Sequence, residues 1–569
     1  MDMADDKPMT GAQGVARALV EAGIEVVTGM PGGATGSIYD ALIPYQDRLR
    51  VVLMREEALG SCLAEAYGRL TSKPAVVMGQ GAWVLTNAGA GIVEAYAGCS
   101  PMIILVDFSE GGAYSHHAPY QSGAGHYGSF DTQRGFEAIT KRTFVARDPV
   151  QAVQLTQLAY KHAVTGAPGP VAVIFEGAAL SRPIETSGRP AIHWGASYLA
   201  NANLVPNDDS LDAAAAALRV ANRPVIISGN GTRLSGAGDV LLKFAEALDI
   251  PVATTAAGKS TFPEDHALSA GTIGPFGNDW ANSLLGDADL VLAVGTRLSP
   301  SDLANENPKM LDPERQVLIQ IDIDPLNASW TQPAAHALVA DARQVLQSLR
   351  QRLPEATTGG VGRVEAARKA HGFHAETLGG AENPVHARHA VAVLSDALPD
   401  DAIITCDAGE NRLFMLHDFR ANGRRRFLQP NATGGMGYSI PAALGARVAD
   451  PGAPVFAVCG DGGYGMTMHG LMSALEENLP IVVVVLNNNA LGWVYHGQGT
   501  TKIASKLAEF NLSAIASAIG CWSIRVQDEA ELRAAIPQAL AAGRPAVIEV
   551  LTSLQDTFMD AMSAVARAR

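Results

Sequence analysis

Nowhere does the sequence reach the roughly twenty consecutive apolar residues that a membrane-crossing helix needs, and its first residues, Met1-Asp-Met-Ala-Asp-Asp6, are acidic where a secretory leader is basic. A cytoplasmic protein without a membrane partner is expected. Positive charge is also short. The 42 Lys and Arg stand against 57 Asp and Glu, and no basic stripe offsets the formal charge of −15, which argues against a nucleic-acid surface. The cluster Arg424-Arg425-Arg426 reads as a solvated loop. Cysteine is scarce: Cys62, Cys99, Cys406, Cys459 and Cys521 are scattered, mostly inside apolar runs, and none has metal-ligand spacing, so reduced buried thiols are expected. Charged residues make up only 17% against 47% hydrophobic, so the chain has apolar material for several cores, and 569 residues are too many for one.

Those apolar residues come in short continuous runs. Val26-Val27, Val51–Met54, Pro74–Met78, Met102–Val106 and Val171–Phe175 read as strands buried on both faces, separated by helical segments such as Gly11–Ala22 and Glu57–Leu70. After a Pro-, Ser- and Asn-rich stretch from Ser181 to about Pro206, a second series follows at Pro224–Ser228, Val252–Thr255, Leu290–Val294 and Val317–Asp322. Pro354–Ala367, with Thr-Thr-Gly-Gly-Val-Gly, reads as a further linker. A third series runs through Ile403–Cys406, Pro454–Cys459, Pro480–Leu486 and Ala546–Val550. The expected fold class is α/β, with three doubly wound parallel-sheet domains at residues 1–182, 207–353 and 375–569.

In the third series, the strand before Gly460 gives way to Gly460-Asp461-Gly462-Gly463, a helical stretch follows, and the strand ending at Leu486 opens into Asn487-Asn488-Asn489-Ala490-Leu491-Gly492. Both loops therefore leave the carboxyl edge of the sheet, where ligands of open α/β sheets sit. Glycines let backbone amides approach an anion such as diphosphate. Asp461 offers a carboxylate oxygen, Asn488 an amide oxygen 27 residues later and Ala490 a main-chain carbonyl, a mixed oxygen set that suits Mg²⁺ or Ca²⁺. In the first series, Glu57 stands just after a strand and is followed by Ala58, Leu59 and Gly60, which carry no polar side chain; its carboxylate is either desolvated at a sheet edge, able to keep or share a proton near neutral pH, or a helix-start glutamate favoured by the helix dipole.

Gly-Asp-Gly followed some two dozen residues later by Asn-Asn resembles the signature of thiamine diphosphate enzymes. Leu53-Met-Arg-Glu-Glu-Ala-Leu-Gly60 with Ala64-Glu-Ala-Tyr-Gly-Arg69 is similar to a segment of the acetolactate synthase, pyruvate oxidase and 2-oxo acid decarboxylase group, and so are Pro31-Gly32-Gly33, Gly79-Gln80-Gly81-Ala82, Ala167–Pro170, Gly295-Thr-Arg297 and Gly434–Pro441. The resemblance implies bound thiamine diphosphate and Mg²⁺. It puts Glu57 on the cofactor-activating glutamate, with Glu56 in place of the usual His, and Met436 on the residue that props the cofactor in a bent conformation. Pro31, Gly32, Glu57, Glu410, Gly434, Met436, Gly460, Asp461, Gly462, Gly463, Asn488, Leu491, Gly492 and Trp493 are the implied cofactor contacts, and Asp461, Asn488 and Ala490 the metal ligands. The implied reaction is cleavage of the C–C bond beside the carbonyl of a 2-oxo acid or related compound, with protonation of the resulting enamine or its transfer to an acceptor. A homodimer or homotetramer with active sites between subunits is implied as well.

This sequence departs from acetolactate synthases at Arg297-Leu298, where they carry Arg-Phe, and at Leu491-Gly-Trp-Val-Tyr-His496, where their Trp lies farther on. Between Glu110 and Asp131 lie five Gly, three His and three Tyr, a long loop of functional character that includes His116 and His117. Paired histidines in a similar region serve proton transfer in pyruvate decarboxylases. The catalytic candidates are therefore Glu57, His116, His117 and Gln80, with Trp83, Glu410, Trp493 and His496 as further substrate-pocket candidates. The alternatives are an acetolactate synthase-type or FAD-containing synthase or oxidase of the same group, FAD being possible in the middle domain, and, from another class, a non-catalytic cofactor-binding subunit.

Overall fold

A computed structural model describes residues 8–109, 121–185, 187, 190–199, 204, 206–371, 383–555 and 557–567. Its apolar runs form three six-stranded parallel sheets. The first comprises β1 (Val26–Gly29), β2 (Arg50–Leu53), β3 (Ala75–Met78), β4 (Met102–Phe108), β5 (Arg142–Ala146) and β6 (Pro170–Glu176), in the order β2-β1-β3-β4-β6-β5. The second comprises β7 (Pro224–Ser228), β8 (Val252–Thr254), β9 (Ser269–Thr272), β10 (Leu290–Val294), β11 (Val317–Asp322) and β12 (His336–Val339), in the order β12-β11-β10-β7-β8-β9. The third comprises β13 (Ile403–Cys406), β14 (Arg426–Leu428), β15 (Val455–Gly460), β16 (Val482–Asn487), β17 (Trp522–Val526) and β18 (Ala546–Leu551), in the order β14-β13-β15-β16-β18-β17. The first and third sheets thus repeat one winding pattern, while the second has its own. The central strands are buried along their length because helices cover both faces, which is why they read as unbroken apolar runs.

The chain divides into two compact units: Met1–Ala202 with Leu444–Ala449 and Met472–Asn478, and Asn203–Ala443 with Asp450–Leu471 and Leu479–Arg569. In the first unit, Arg55 pairs with Glu476, and the Leu53 amide donates to Glu477 Oε1 at 2.9 Å, which ties residues 472–478 to β2. In the second unit the second and third sheets are joined by polar clasps. Lys259, itself buried, pairs with Glu264 at 2.7 Å and donates to the Leu416 carbonyl, and Glu264 accepts the Ala421 amide at 2.7 Å.

Two segments differ from expectation. The cluster Arg424-Arg425-Arg426, read as a solvated loop, leads into β14 at Arg426, and Arg425 is buried because its guanidinium donates to the Ser395 and Pro399 carbonyls. Within the linker read at Pro354–Ala367, a helix forms at Gly360–Ala370. Asp249 accepts the amides of Gly360 and Val361, at 3.0 and 3.3 Å, and Val364 is fully buried in a core of the middle sheet. A glycine-rich start thus becomes a helix because a remote carboxylate caps it and one valine anchors it.

The helix Glu57–Thr71 is also more enclosed than its sequence suggests. Leu59, Cys62, Leu63, Ala66 and Tyr67 are buried, but so are Glu65 and Arg69, closed into an ion cluster with Glu94 (Arg69 to Glu65 2.6 Å, to Glu94 2.9 Å) and joined by Ser100. Mutual pairing lets these charges sit on the inward side of the helix. Four of the five cysteines are buried free thiols, as expected, and Cys99 is partly exposed.

Candidate active site

In the first and third sheets the winding reverses between β1 and β3 and between β13 and β15, and loops that diverge at such a point leave a crevice beyond the carboxyl ends of the strands. At the third sheet, β13 exits into Asp407, whose buried carboxylate accepts the amides of Gly437 (2.9 Å), Tyr438 (2.6 Å) and Ser439 (3.2 Å). Asp407 thereby pins the loop that holds Gly434 and Met436. Burial pushes its carboxyl up to about 6, against the opposing pull of those three amides. A side-chain carbon at Gly463 would run into the same carboxylate, so only glycine fits there.

β15 exits into Asp461. Burial pushes this carboxyl up to about 6 as well, against the amides of Gly462, Ala490 and Asn489. Its Oδ2 is buried and has no hydrogen-bond partner among the described residues. Asn488 Oδ1 accepts the Ala490 amide at 3.1 Å and keeps a second lone pair. Met436 and Leu491 close on Gly462, where an added carbon would lie 2.9 Å from Met436 Cε and 2.9 Å from Leu491 Cδ2. Among the described residues no three His, Cys, Asp or Glu side chains gather to hold a metal. A hard cation at Asp461 and Asn488 would therefore need further oxygens, such as those of a diphosphate, to complete its shell.

Beside this cradle, Glu410 and His496 are paired. His496 Nδ1 lies 2.8 and 3.0 Å from the two Glu410 oxygens, and its Nε2 lies 2.8 Å from the Leu554 carbonyl. A carbonyl only accepts, so Nε2 donates to it, and Nδ1 and the carboxyl share whatever further proton is present. Glu410 also accepts the Phe558 amide at 2.8 Å; burial pushes its carboxyl up, against that amide and the His496 ring. A side-chain carbon at Gly492 would lie 2.5 Å from Glu410 Oε2. Trp493 is turned to a packing role, its ring edge-on to Phe276 with centroids 5.7 Å apart.

At the first sheet, Glu57 is 8% exposed and accepts from Asn87 Nδ2 at 3.1 Å. Tyr39, which donates to the Met78 carbonyl at 2.9 Å, has its hydroxyl pushed up by burial and then by the Glu57 charge. The Pro31-Gly32 loop leaves β1 and lies against Gln80, whose Nε2 would be 2.6 Å from a carbon added at Gly32. Asp107, in β4, accepts the Ala34 amide at 2.5 Å and the Gly81 amide at 3.3 Å, and so fastens the Pro31–Gly33 loop to the Gln80 turn; burial pushes its carboxyl up against these bonds. Trp83 is half exposed. His116 and His117 lie outside the described residues.

Three family models match: "Thiamine pyrophosphate enzyme, N-terminal TPP binding domain" over residues 9–124, "central domain" over 211–349 and "C-terminal TPP binding domain" over 407–550. A probable 2-ketoarginine decarboxylase of Pseudomonas aeruginosa is 32% identical over 503 residues, 87% of this chain and 85% of that protein. The chain belongs to the thiamine pyrophosphate enzymes. The same similarity extends to a probable acetolactate synthase large subunit of Methanocaldococcus jannaschii (29% identical; 95% of this chain, 92% of that one) and to the acetolactate synthase large subunit of Lactococcus lactis (27%; 96% and 93%).

Thiamine diphosphate fits what the residues offer: a glycine cradle held open by Asp407, a lone buried carboxylate oxygen on Asp461 and the half-exposed Met436 beside them. Three residues of this thiamine pyrophosphate enzyme were not anticipated from sequence: Asp407, Asp107 and Tyr39. The two aspartates share one signal, a single acid at the end of a buried apolar run, in Ile403-Ile-Thr-Cys-Asp407 and Met102-Ile-Ile-Leu-Val-Asp107. No helix among the described residues is long and apolar enough to cross a membrane.

Proposed function

We propose that this thiamine pyrophosphate enzyme works with Mg²⁺ held by Asp461, Asn488 and the Ala490 carbonyl, and that it cleaves the bond beside the carbonyl of a 2-oxo acid or related compound, then protonates the product fragment or passes it to an acceptor aldehyde or ketone. The thiamine ring supplies the carbanion chemistry when bound. The protein's own residues divide the remaining work. Glu57 would hold a proton at the pyrimidine ring of the bound cofactor, with its carboxylate oriented by the hydrogen bond from Asn87. Gly462 and Gly463 would bring backbone amides close to the diphosphate of the bound cofactor, and Met436 and Leu491, which close on Gly462, would support it from the side. Glu410 and His496 form the wall next to Gly492. The active unit is a homodimer or homotetramer in which Glu57 of one subunit serves the diphosphate site of its partner, with domains at 1–182, 207–353 and 375–569.

The observation that carries this proposal is the buried, unpartnered Oδ2 of Asp461. An orphaned carboxylate oxygen is costly unless a cation or proton joins it. Asp461→Ala is expected to weaken Mg²⁺ binding, measured calorimetrically at saturating thiamine diphosphate, by more than about 100-fold, beyond the range seen for outer-shell partners. For the intact protein, the proton must leave before the metal binds. Asp461 titrates near 6, so affinity should be level above that pH and fall about tenfold per unit below it. Equal affinity in Asp461→Ala, or no fall between pH 6 and 4.5, would remove Asp461 from the metal site. Products from a panel of 2-oxo acids, with and without acceptor aldehydes, identified by mass, distinguish decarboxylase from carboligase.

A further inference from the structure

Asn487, the last residue of β16, stands immediately before the proposed metal ligand Asn488 and is buried at 2% exposure. Its Oδ1 accepts the Asn489 amide at 3.1 Å. Asn489 has φ +53, a left-handed conformation uncommon for a residue with a side chain, and this is where the strand turns into the ligand loop. The turn holds only if the Asn487 amide presents its oxygen, not its nitrogen, to the loop.

Glu549 decides that orientation. It is fully buried in β18, and its Oε1 accepts Asn487 Nδ2 at 2.7 Å. An ionised carboxylate can only accept, so the NH₂ side of Asn487 must face it and the oxygen must face Asn489. Glu549 is held in turn by Arg525, Nε to Oε2 at 3.1 Å and Nη2 to Oε1 at 2.9 Å, and by the Ser513 amide at 2.8 Å. Burial pushes the Glu549 carboxyl up, but the hydrogen bonds from Arg525, Ser513 and Asn487 more than reverse this and keep it below the usual carboxylate range.

We propose that Arg525, Glu549 and Asn487 form a positioning relay that fixes the amide orientation of Asn487 and thereby holds the Asn488–Ala490 loop in its metal-binding shape. None of the three touches the ion. The inference rests on the proposed metal site, and three variants separate its failure from failure of that site. Glu549→Gln nearly conserves volume but offers an NH₂ group where a carboxylate stood. With its oxygen held at the Oε2 position by the Ser513 amide and Arg525 Nε, it turns an amide donor toward Asn487 and favours the flipped side chain. Asn487→Ala removes both bonds while leaving Glu549 paired to Arg525 and Ser513, so it tests the relay even where Glu549→Gln does not fold. Asp461→Ala reports on the metal site itself.

The measurement is calorimetric titration of Mg²⁺ into enzyme saturated with thiamine diphosphate, with kcat at saturating Mg²⁺ as a second readout. The expected result is Mg²⁺ affinity lowered about 10- to 100-fold in Asn487→Ala and Glu549→Gln, as for other outer-shell partners of metal ligands, with kcat returning to within about twofold at high Mg²⁺. A purely structural role would lower thermal stability and leave the metal affinity of the folded enzyme unchanged. Affinity within about twofold of the parent in folded Asn487→Ala, while Asp461→Ala loses it, overturns the relay and leaves the metal site standing. Unchanged affinity in Asp461→Ala overturns both.

Discussion

The first and third sheets share one strand order, yet their carboxyl edges offer different chemistry. The third presents backbone amides, a lone Asp461 oxygen and asparagine carbonyls, all suited to a metal-bound anion. The first presents Glu57, held by an amide and little exposed, which is suited to moving a proton. What they have in common is a fastening: one buried aspartate per sheet, Asp107 or Asp407, that accepts amides from glycine-bearing loops. A repeated frame therefore does not dictate a repeated function. The loops do, and each frame supplies an anchor that keeps its loops in place.

This contrast can be broken at four points. Glu57→Gln should reduce kcat by about 10²- to 10⁴-fold, the usual worth of a positioned proton carrier, while calorimetry finds thiamine diphosphate binding unchanged. An undiminished kcat would mean that the first sheet does no proton chemistry. Gly463→Ala drives a carbon into Asp407 and should cost roughly 1–3 kcal/mol in thermal unfolding, together with cofactor affinity. Its counterpart Gly33→Ala strikes Asp107 and should cost comparable stability but leave Mg²⁺ affinity intact. If both variants lose metal affinity alike, the division of labour between the sheets is wrong. Asn87→Ala should have the mildest effect, about 1 kcal/mol or under tenfold in kcat/KM, because Glu57 loses a guide and stays where it is.

The interior of each sheet was legible in the sequence and, β2 apart, its margins were not. Strands such as Met102–Phe108 and Val482–Asn487 are buried throughout and read as apolar runs. The strands that escaped notice, β5, β9, β12, β14 and β17, all lie at sheet edges. Arg142-Thr-Phe-Val-Ala146 and Trp522-Ser-Ile-Arg-Val526 are only partly buried and mix polar with apolar residues, so neither run length nor period marks them. At the site, Asp461 and Asn488 could be proposed because their side chains belong to a recurring Gly-Asp-Gly and Asn-Asn pattern, and Glu57 because its segment is similar to that of a known family. Asp107 and Asp407 could not, because their partners lie 73 and about 30 residues away along the chain and only folding brings those amides to them. The helix at Gly360–Ala370 escaped for the same reason, since the capping Asp249 is more than a hundred residues distant.

The pairing of His496 has a practical consequence for anyone wishing to redirect this catalyst toward new compounds. Both ring nitrogens are already engaged, by Glu410 and by the Leu554 carbonyl, so altering that imidazole disturbs the mooring of the tail before it alters selectivity. Trp83, a substrate-pocket candidate whose ring is half exposed, is the better place to begin a library.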